Sequence, residues 1–150
     1  MAGRKYSVDG NQNAGATVTI LALSGTAAVR PALYYINQGF SATPADNAVN
    51  MQVIRHTNDG GGTAVTPQAL DSGDPGAAAT ALENLSTEPT YTANATVLSY
   101  SQNTRANFQW YANPGAELIG PATALNGFGL RFVVVSGGTQ LSEATFHYCE

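Results

Sequence analysis

Charge is what this sequence has least of. Only 11% of its 150 residues are Asp, Glu, Lys or Arg, less than half of the roughly 25% usual in soluble domains. Thr, Asn, Ser and Gln take the polar positions instead. Such a surface is weakly solvated for a free monomer and suits a protein packed against other protein. The basic residues are Arg4, Lys5, Arg30, Arg55, Arg105 and Arg131, of which only the first two are adjacent, and the net charge is −4. No basic patch can be drawn from them, which argues against a nucleic-acid partner.

Cysteine is nearly absent as well. Cys149 is the single one, so there is no intrachain disulfide and no CxxC or Cys/His ligand cluster. Next to the last residue, it reads as the end of a strand rather than a nucleophile. An interchain disulfide would need an oxidising compartment. No apolar run reaches the ~18 residues of a membrane span, so no membrane partner is expected. Arg4 and Lys5 are not followed by an apolar segment, so the start is not expected to be a secretion signal. There is no internal repeat and no linker long enough to divide the chain. A hydrophobic content of 43% over this length fits one domain with a real core.

What the sequence does have is β-pattern. Residues 1–15 read as a polar, turn-rich N-terminal arm, with at most a short strand at Arg4–Val8 and a turn at Asp9-Gly10; the β domain is then 16–150. "ATVTILALSG" (16–25) is β-branched and bounded by glycines. "RPALYYINQGFSA" (30–42) starts with Pro31, where a lost N–H does least harm. In "NAVNMQVIRHT" (47–57), Val49, Met51, Val53 and Arg55 alternate with Asn50, Gln52, Ile54 and His56. "NDGGGTAV" (58–65) reads as a turn and a mobile loop. Further on, 87–93 is an extended link or short strand, and 95–101, 106–112, 116–120, 127–137 and 139–149 are strands. Asn113-Pro114-Gly115 and Ser136-Gly137-Gly138 are the turns among them. Eight to ten short, evenly spaced strands predict an all-β, antiparallel β-sandwich or jelly-roll-like single domain. Its expected core includes Val18, Ile20, Val53, Phe108, Trp110, Leu130, Phe132 and Phe146.

One stretch departs from the pattern. "TPQALDSGDPGAAATALEN" (66–84) reads as a loop opening one short helix near 74–84. Asp74 would cap it, Pro75 would sit at the first helical position, and Ala and Leu would follow. A helix so short must be docked, with Leu82 and Leu85 as anchors. The segment is expected to carry the chain from one sheet edge to another.

Residues able to do chemistry are sparse. His56 and His147 stand far apart and in no ligand spacing such as HxH or HExxH. Asp71, Asp74 and Glu83 lack the spacing of a calcium loop and read as turn and cap residues. Gly127-Phe128-Gly129 enters a strand and lacks the third glycine of a dinucleotide site. No GxSxG elbow is present. Trp110, Tyr111, Tyr34 and Tyr35 could stack on sugars, although Trp110 shares a strand face with Phe108 and so reads as core. Asn84-Leu85-Ser86 and Asn94-Ala95-Thr96 match the glycosylation sequon, but without an expected secretion signal they read as chance. The expectation is a non-enzyme with no catalytic, cofactor-binding or metal-ligating residues and no cofactor.

Two longer stretches carry a resemblance. "TAVTPQALDSGDPGAAATA" is followed by "EPTYTANATVLSYSQNTRANFQWYANPGAELIGPATALNGFGLRF", roughly residues 63–132. The order of a TPQxLDxGDP loop, an EPTYT link, N-x-R before F-x-W, a PG turn and NGxGLR resembles short tailed-phage, head-associated virion proteins, similar to capsid decoration (cement) proteins. The resemblance implies a structural protein on the capsid exterior of a virion. It would bind the major capsid protein where hexamers meet and stabilise the bacteriophage head. A homo-oligomer is implied, with a trimer on a local three-fold axis the first expectation. Alternatives are a tail or neck component, or a surface carbohydrate-binding module. The resemblance brings no catalytic residues with it.

Overall fold

Two six-stranded antiparallel sheets, packed face to face, hold most of the chain. The structure, a computed structural model, describes residues 3–41, 44–134 and 139–150, with the backbone alone at Val134. The expected turn at 136–138 and the side chain of Val134 lie outside the described residues. The strands are β1 (Lys5–Ala14), β2 (Val18–Ser24), β3 (Ala32–Ser41), β4 (Ala48–Asn58), β5 (Gly61–Val65), β6 (Gln68–Ala69), β7 (Thr80–Thr87), β8 (Thr90–Asn103), β9 (Phe108–Tyr111), β10 (Leu118–Ile119), β11 (Gly127–Val134) and β12 (Gln140–Cys149). Sheet A runs β10-β3-β12-β1-β6, with β9 sharing the β3 edge, and sheet B runs β5-β7-β2-β11-β4-β8.

The alternation expected along 47–57 and 139–149 sets the inner faces. Val49, Met51 and Val53 of β4 are buried, as are Ala144, Phe146 and Tyr148 of β12. Between the sheets, Tyr6 stacks on Tyr148 with ring centroids 5.6 Å apart. Leu33 and Ile36 from sheet A meet Leu21, Leu23, Phe128, Leu130 and Phe132 from sheet B. Of the expected core, Ile20, Val53, Leu130, Phe132 and Phe146 are buried, while Val18 and Trp110 are half-buried against its margin and Phe108, also half-buried, stacks on Tyr100. Asn113-Pro114-Gly115 forms the expected turn. Ala116 N–H donates to the Asn113 carbonyl at 2.8 Å and Gly115 has φ +86°, the geometry of a type II turn.

Three expectations are corrected. Residues 3–15 of the expected arm do not stand apart from the domain. Lys5–Ala14 is a ten-residue strand paired with β12 along its whole length and with β6 at Tyr6 and Ser7, and no turn interrupts it at Asp9-Gly10. Its even positions, Tyr6, Val8, Gly10, Gln12 and Ala14, are all buried, a period-2 pattern hidden because two of the five carry small side chains and one is polar. Gly10 is essential to the packing: a Cβ there would lie 2.8 Å from Glu83 Cβ and 3.0 Å from Leu21 Cδ1. Residues 58–65 are not a loop throughout, since β5 begins at Gly61 directly after the Asn58–Gly60 turn.

The short helix near 74–84 does not form; Thr80–Thr87 is strand β7, hydrogen-bonded between β5 and β2. The physical reason is competition. Two helical turns close few hydrogen bonds after a costly nucleation, whereas a strand between two partners satisfies its backbone on both sides and buries Ala81 and Leu85. Asp74 is therefore no cap. Its N–H donates to the Asp71 carbonyl at 3.0 Å, and its carboxylate lies 3.6 Å from Arg4. Asp71 does serve as the turn residue, its Oδ1 accepting from Gly73 N–H at 2.9 Å. The expected crossover leaves a sheet edge but does not end on one: residues 70–79 lead from β6, at the edge of sheet A, to β7, inside sheet B between β5 and β2. They are tied down by Tyr6 Oη donating to the Pro75 carbonyl at 3.1 Å, and by Glu150, whose carboxylate accepts from the N–H groups of Ala78 and Ala79.

These contacts set an expected order of mutational cost. Leu85→Ala should lose about 2–5 kcal/mol of unfolding free energy. Asp74→Ala, on a partly exposed ion pair, should stay within about 0.5 kcal/mol of the parent. Urea melts of both variants check this; equal losses would mean that the crossover depends on Asp74 in a way these contacts do not supply.

Candidate functional site

The outer face of sheet A holds the most concentrated set of unengaged polar groups. Strand register brings together residues that are remote in sequence, in rows across four strands. One row is Tyr111–Tyr35–His147–Ser7, the next Gln109–Asn37–Thr145–Asp9, and the third Gly39–Glu143–Asn11. Rows on one face follow one another at about 7 Å along the strands. The second and third rows border a depression of about 530 Å³, whose lining includes Asp9, Asn37, Gly39, Asn107, Glu143 and Thr145. Gly39 forms part of its floor, and Asn107 leans over that glycine: a Cβ at Gly39 would lie 2.8 Å from Asn107 Oδ1.

The lining carries two carboxylates and no Lys or Arg. Glu143 accepts from Ser41 Oγ at 3.0 Å. Asn11 is turned to Glu83, its N–H and Nδ2 both donating to that carboxylate. The side chains of Asp9, Asn37, Asn107 and Thr145 make no hydrogen bond or ion pair to another described residue. The first row is aromatic. Tyr35 and Tyr111 lie 4.5 Å apart between centroids, and Tyr35 and His147 4.7 Å. Tyr111 is 67% exposed. Burial lowers the pKa of His147 below the ordinary histidine value, so the row is uncharged at neutral pH.

The outer face of sheet B looks more like an active site and works as a fastening. Here the chain folds back over its own sheet. Glu88 accepts from Thr19 N–H and Thr19 Oγ1, each at 2.7 Å, and the Thr19 and Tyr91 hydroxyls share a short hydrogen bond. The Arg131 guanidinium sits 5.3 Å from the centre of the Tyr91 ring. Burial pushes the Tyr91 hydroxyl well above the usual tyrosine range, so it stays protonated. Carboxylate, phenol and guanidinium all hold the start of β8 against β2 and β11.

The remaining candidates are scattered. His56 and His147 lie on the outer faces of opposite sheets. His56 is 2% exposed and its Nδ1 is 3.0 Å from the Leu125 carbonyl; as that contact needs a donor, the neutral Nδ1–H form fits. Leu125 has φ +64°, in the left-handed region that β-carbon crowding disfavours, so this contact also holds a strained residue. Among the described residues no three His, Cys, Asp or Glu side chains are grouped to hold one ion. Cys149 is buried in β12, and burial raises its thiol pKa. Gly127 and Gly129 lie within β11, between β2 and β4. Asn84 and Asn94 are exposed, each with a positive φ. No helix among the described residues is long and apolar enough to cross a membrane.

Sequence reasoning singled out Tyr34, Tyr35 and Tyr111 but missed Asp9, Asn37, Asn107, Glu143 and Thr145. The odd-position polar alternation of β1 and β12 could have pointed to Asp9, Glu143 and Thr145; Asn37 and Asn107 come together with them only through the strand register. No family model, no curated protein and no solved structure matches the chain.

The buried histidines predict a pH response. Desolvation is the main cause of the lowered pKa of His56, opposed by its hydrogen bond to Leu125 and by the charge of Asp59. The unfolded chain, whose histidines keep a value near 6.5, takes up protons first as the pH falls. Stability should therefore drop as the pH is lowered from 7 through about 6.5 toward the depressed folded values. Thermal melts between pH 7.5 and 5.5 test this. His56→Gln should flatten the slope, leaving the part due to His147; an unchanged slope would remove His56 as its source.

Proposed function

We propose that this chain is a structural protein of a tailed-phage virion, a decoration or cement protein that binds the major capsid protein and stabilises the head from outside. The observation that carries this reading is the free edge of β8. That strand ends sheet B, and from Thr96 to Asn103, past the irregular stretch that folds Tyr91 over the sheet, it follows β4 with one bulge and carries no charge and no proline. Soluble proteins that live alone guard such an edge with Lys, Pro or a covering segment, because its unpaired N–H and C=O groups invite another strand. An edge left open suits a protein whose working state is an assembly. It can pair through its backbone with a strand of a neighbour, and many weak contacts repeated over a shell add up. The low charge of the surface and the resemblance over residues 63–132 support the same reading.

Symmetry makes a homo-oligomer, and first a trimer, the expected form on a head, since a trimer repeats one contact around a local three-fold axis. The runner-up is a tail or neck component, and copy number separates the two. Quantitative mass spectrometry of purified virions should find on the order of hundreds of copies for a head coat, and only a handful for a neck or tail part. Thr96, exposed in β8 and turned to solvent, gives a direct test. Thr96→Lys should fold normally and weaken co-sedimentation with heads lacking the protein by about tenfold, or 1.4 kcal/mol. Undiminished binding would take the β8 edge out of the contact.

A further inference from the structure

We propose that the outer face of sheet A is a binding site for a neutral saccharide, with the exposed ring of Tyr111, backed by Tyr35, as the stacking surface and Asp9, Asn37, Asn107 and Thr145 as the hydrogen-bonding groups. A sugar ring has two apolar C–H faces and a rim of hydroxyls. It asks for a flat aromatic surface, whose electron-rich face attracts C–H groups, beside groups that both donate and accept. The row order supplies that arrangement, with Tyr111 and Tyr35 one row along the same strands from Gln109, Asn37 and Thr145.

The chemistry of the lining narrows the ligand. Each Asn amide offers a donor pair and an acceptor, and a carboxylate accepts from two hydroxyls at once. Two such amides, one such carboxylate and the Thr145 hydroxyl face the depression without partners among the described residues. In a ligand-free surface water satisfies them; a polyol can replace that water group for group. Two carboxylates with no cation in the lining repel phosphate, sulfate and uronate. An apolar ligand finds too little here to bury itself against, because the depression is walled by amides and carboxylates. This inference does not rest on the head-coating reading, and loss of either leaves the other standing.

The test uses the whole chain with neutral oligosaccharides: maltohexaose, cellohexaose, chitohexaose and a linear mannan fragment. Saturation-transfer NMR detects contact and calorimetry gives affinity. At least one of them should bind, one site per chain. Tyr111→Ala and Asn107→Ala, both at exposed positions, should each weaken it tenfold or more, whereas Thr92→Ala on sheet B should not. Near-ultraviolet circular dichroism shows that each variant is folded, and the two variants act as checks on each other. The inference is overturned if none of the four binds up to millimolar concentration, or if binding ignores both variants. It is equally overturned if binding disappears on adding EDTA, which would make the carboxylates a cation site, or if sulfated or uronate oligosaccharides bind better than neutral ones.

Discussion

Strand β2 leaves almost nothing for water on either side, and the rest of the molecule is arranged around that. From Thr19 to Ser24 every residue is buried. Leu21 and Leu23 face sheet A, so that side is ordinary core. The outward side also carries Thr19 and Ser24, and a buried hydroxyl without a partner costs about 1–3 kcal/mol. Covering segments supply the partners: Glu88 and Tyr91 reach Thr19, and Asp59 accepts from Ser24 Oγ at 3.2 Å. The register with β11 slips between Leu130 and Arg131, so one extra residue of β2 bulges there. Both Ile20 and Leu21 are buried beside Leu130. The turn after β4 and the start of β8 lie where they do because β2 has polar atoms that must be satisfied.

The same demand shapes the seam between the sheets. Along β1, β6 pairs only at Tyr6 and Ser7, so the edge beyond is bare. Glu83 of sheet B closes it by accepting from Asn11 N–H and Nδ2, and Gln12 Nε2 donates to the Leu85 carbonyl at 2.9 Å. The missing side chain of Gly10 lets Glu83 come near enough. Asn11 serves this seam from the outer face of β1, whereas Asp9, two residues earlier, has no partner among the described residues. Asp9 thus stands on the open face of sheet A beside Asn37 and Thr145 rather than in a contact within the fold.

How much of this was legible follows from where each signal resides. Strands such as 47–57 and 139–149 announce themselves because large apolar residues occupy every second position. β1 does not, since Gly10, Gln12 and Ala14 fill core positions without looking apolar. The stretch 74–84 misled because propensity is local, while the two ladders that turn Thr80–Thr87 into a strand come from residues 61–65 and 21–24. The outer face of sheet A was hidden for the same reason at longer range. Asp9, Asn37, Asn107 and Thr145 lie on or beside four different strands, and only the register places them together. Tyr35 and Tyr111 were noticeable one by one, but their contact is a property of the β3–β9 pairing.

The union of β1 with β12 bears on how the molecule is made. Residues 5–14 are partnered by residues 140–149, nearly the full length of the chain away. A ribosome releases β1 early and its main partner late, so sheet A cannot zip up while synthesis is in progress. Pairings between such distant segments are slow to find one another, and in the interval Tyr6 and Val8 stay accessible to other nascent chains. Sheet B shares the handicap at its centre, where β11 joins β2 to β4 across more than half the chain; only its β4–β8 and β5–β7 ladders lie close together in sequence. Synthesis therefore favours a particular order of events: the β4–β8 and β5–β7 pairs form first, and the late strands β11 and β12 then close both sheets around the early strands β2 and β1.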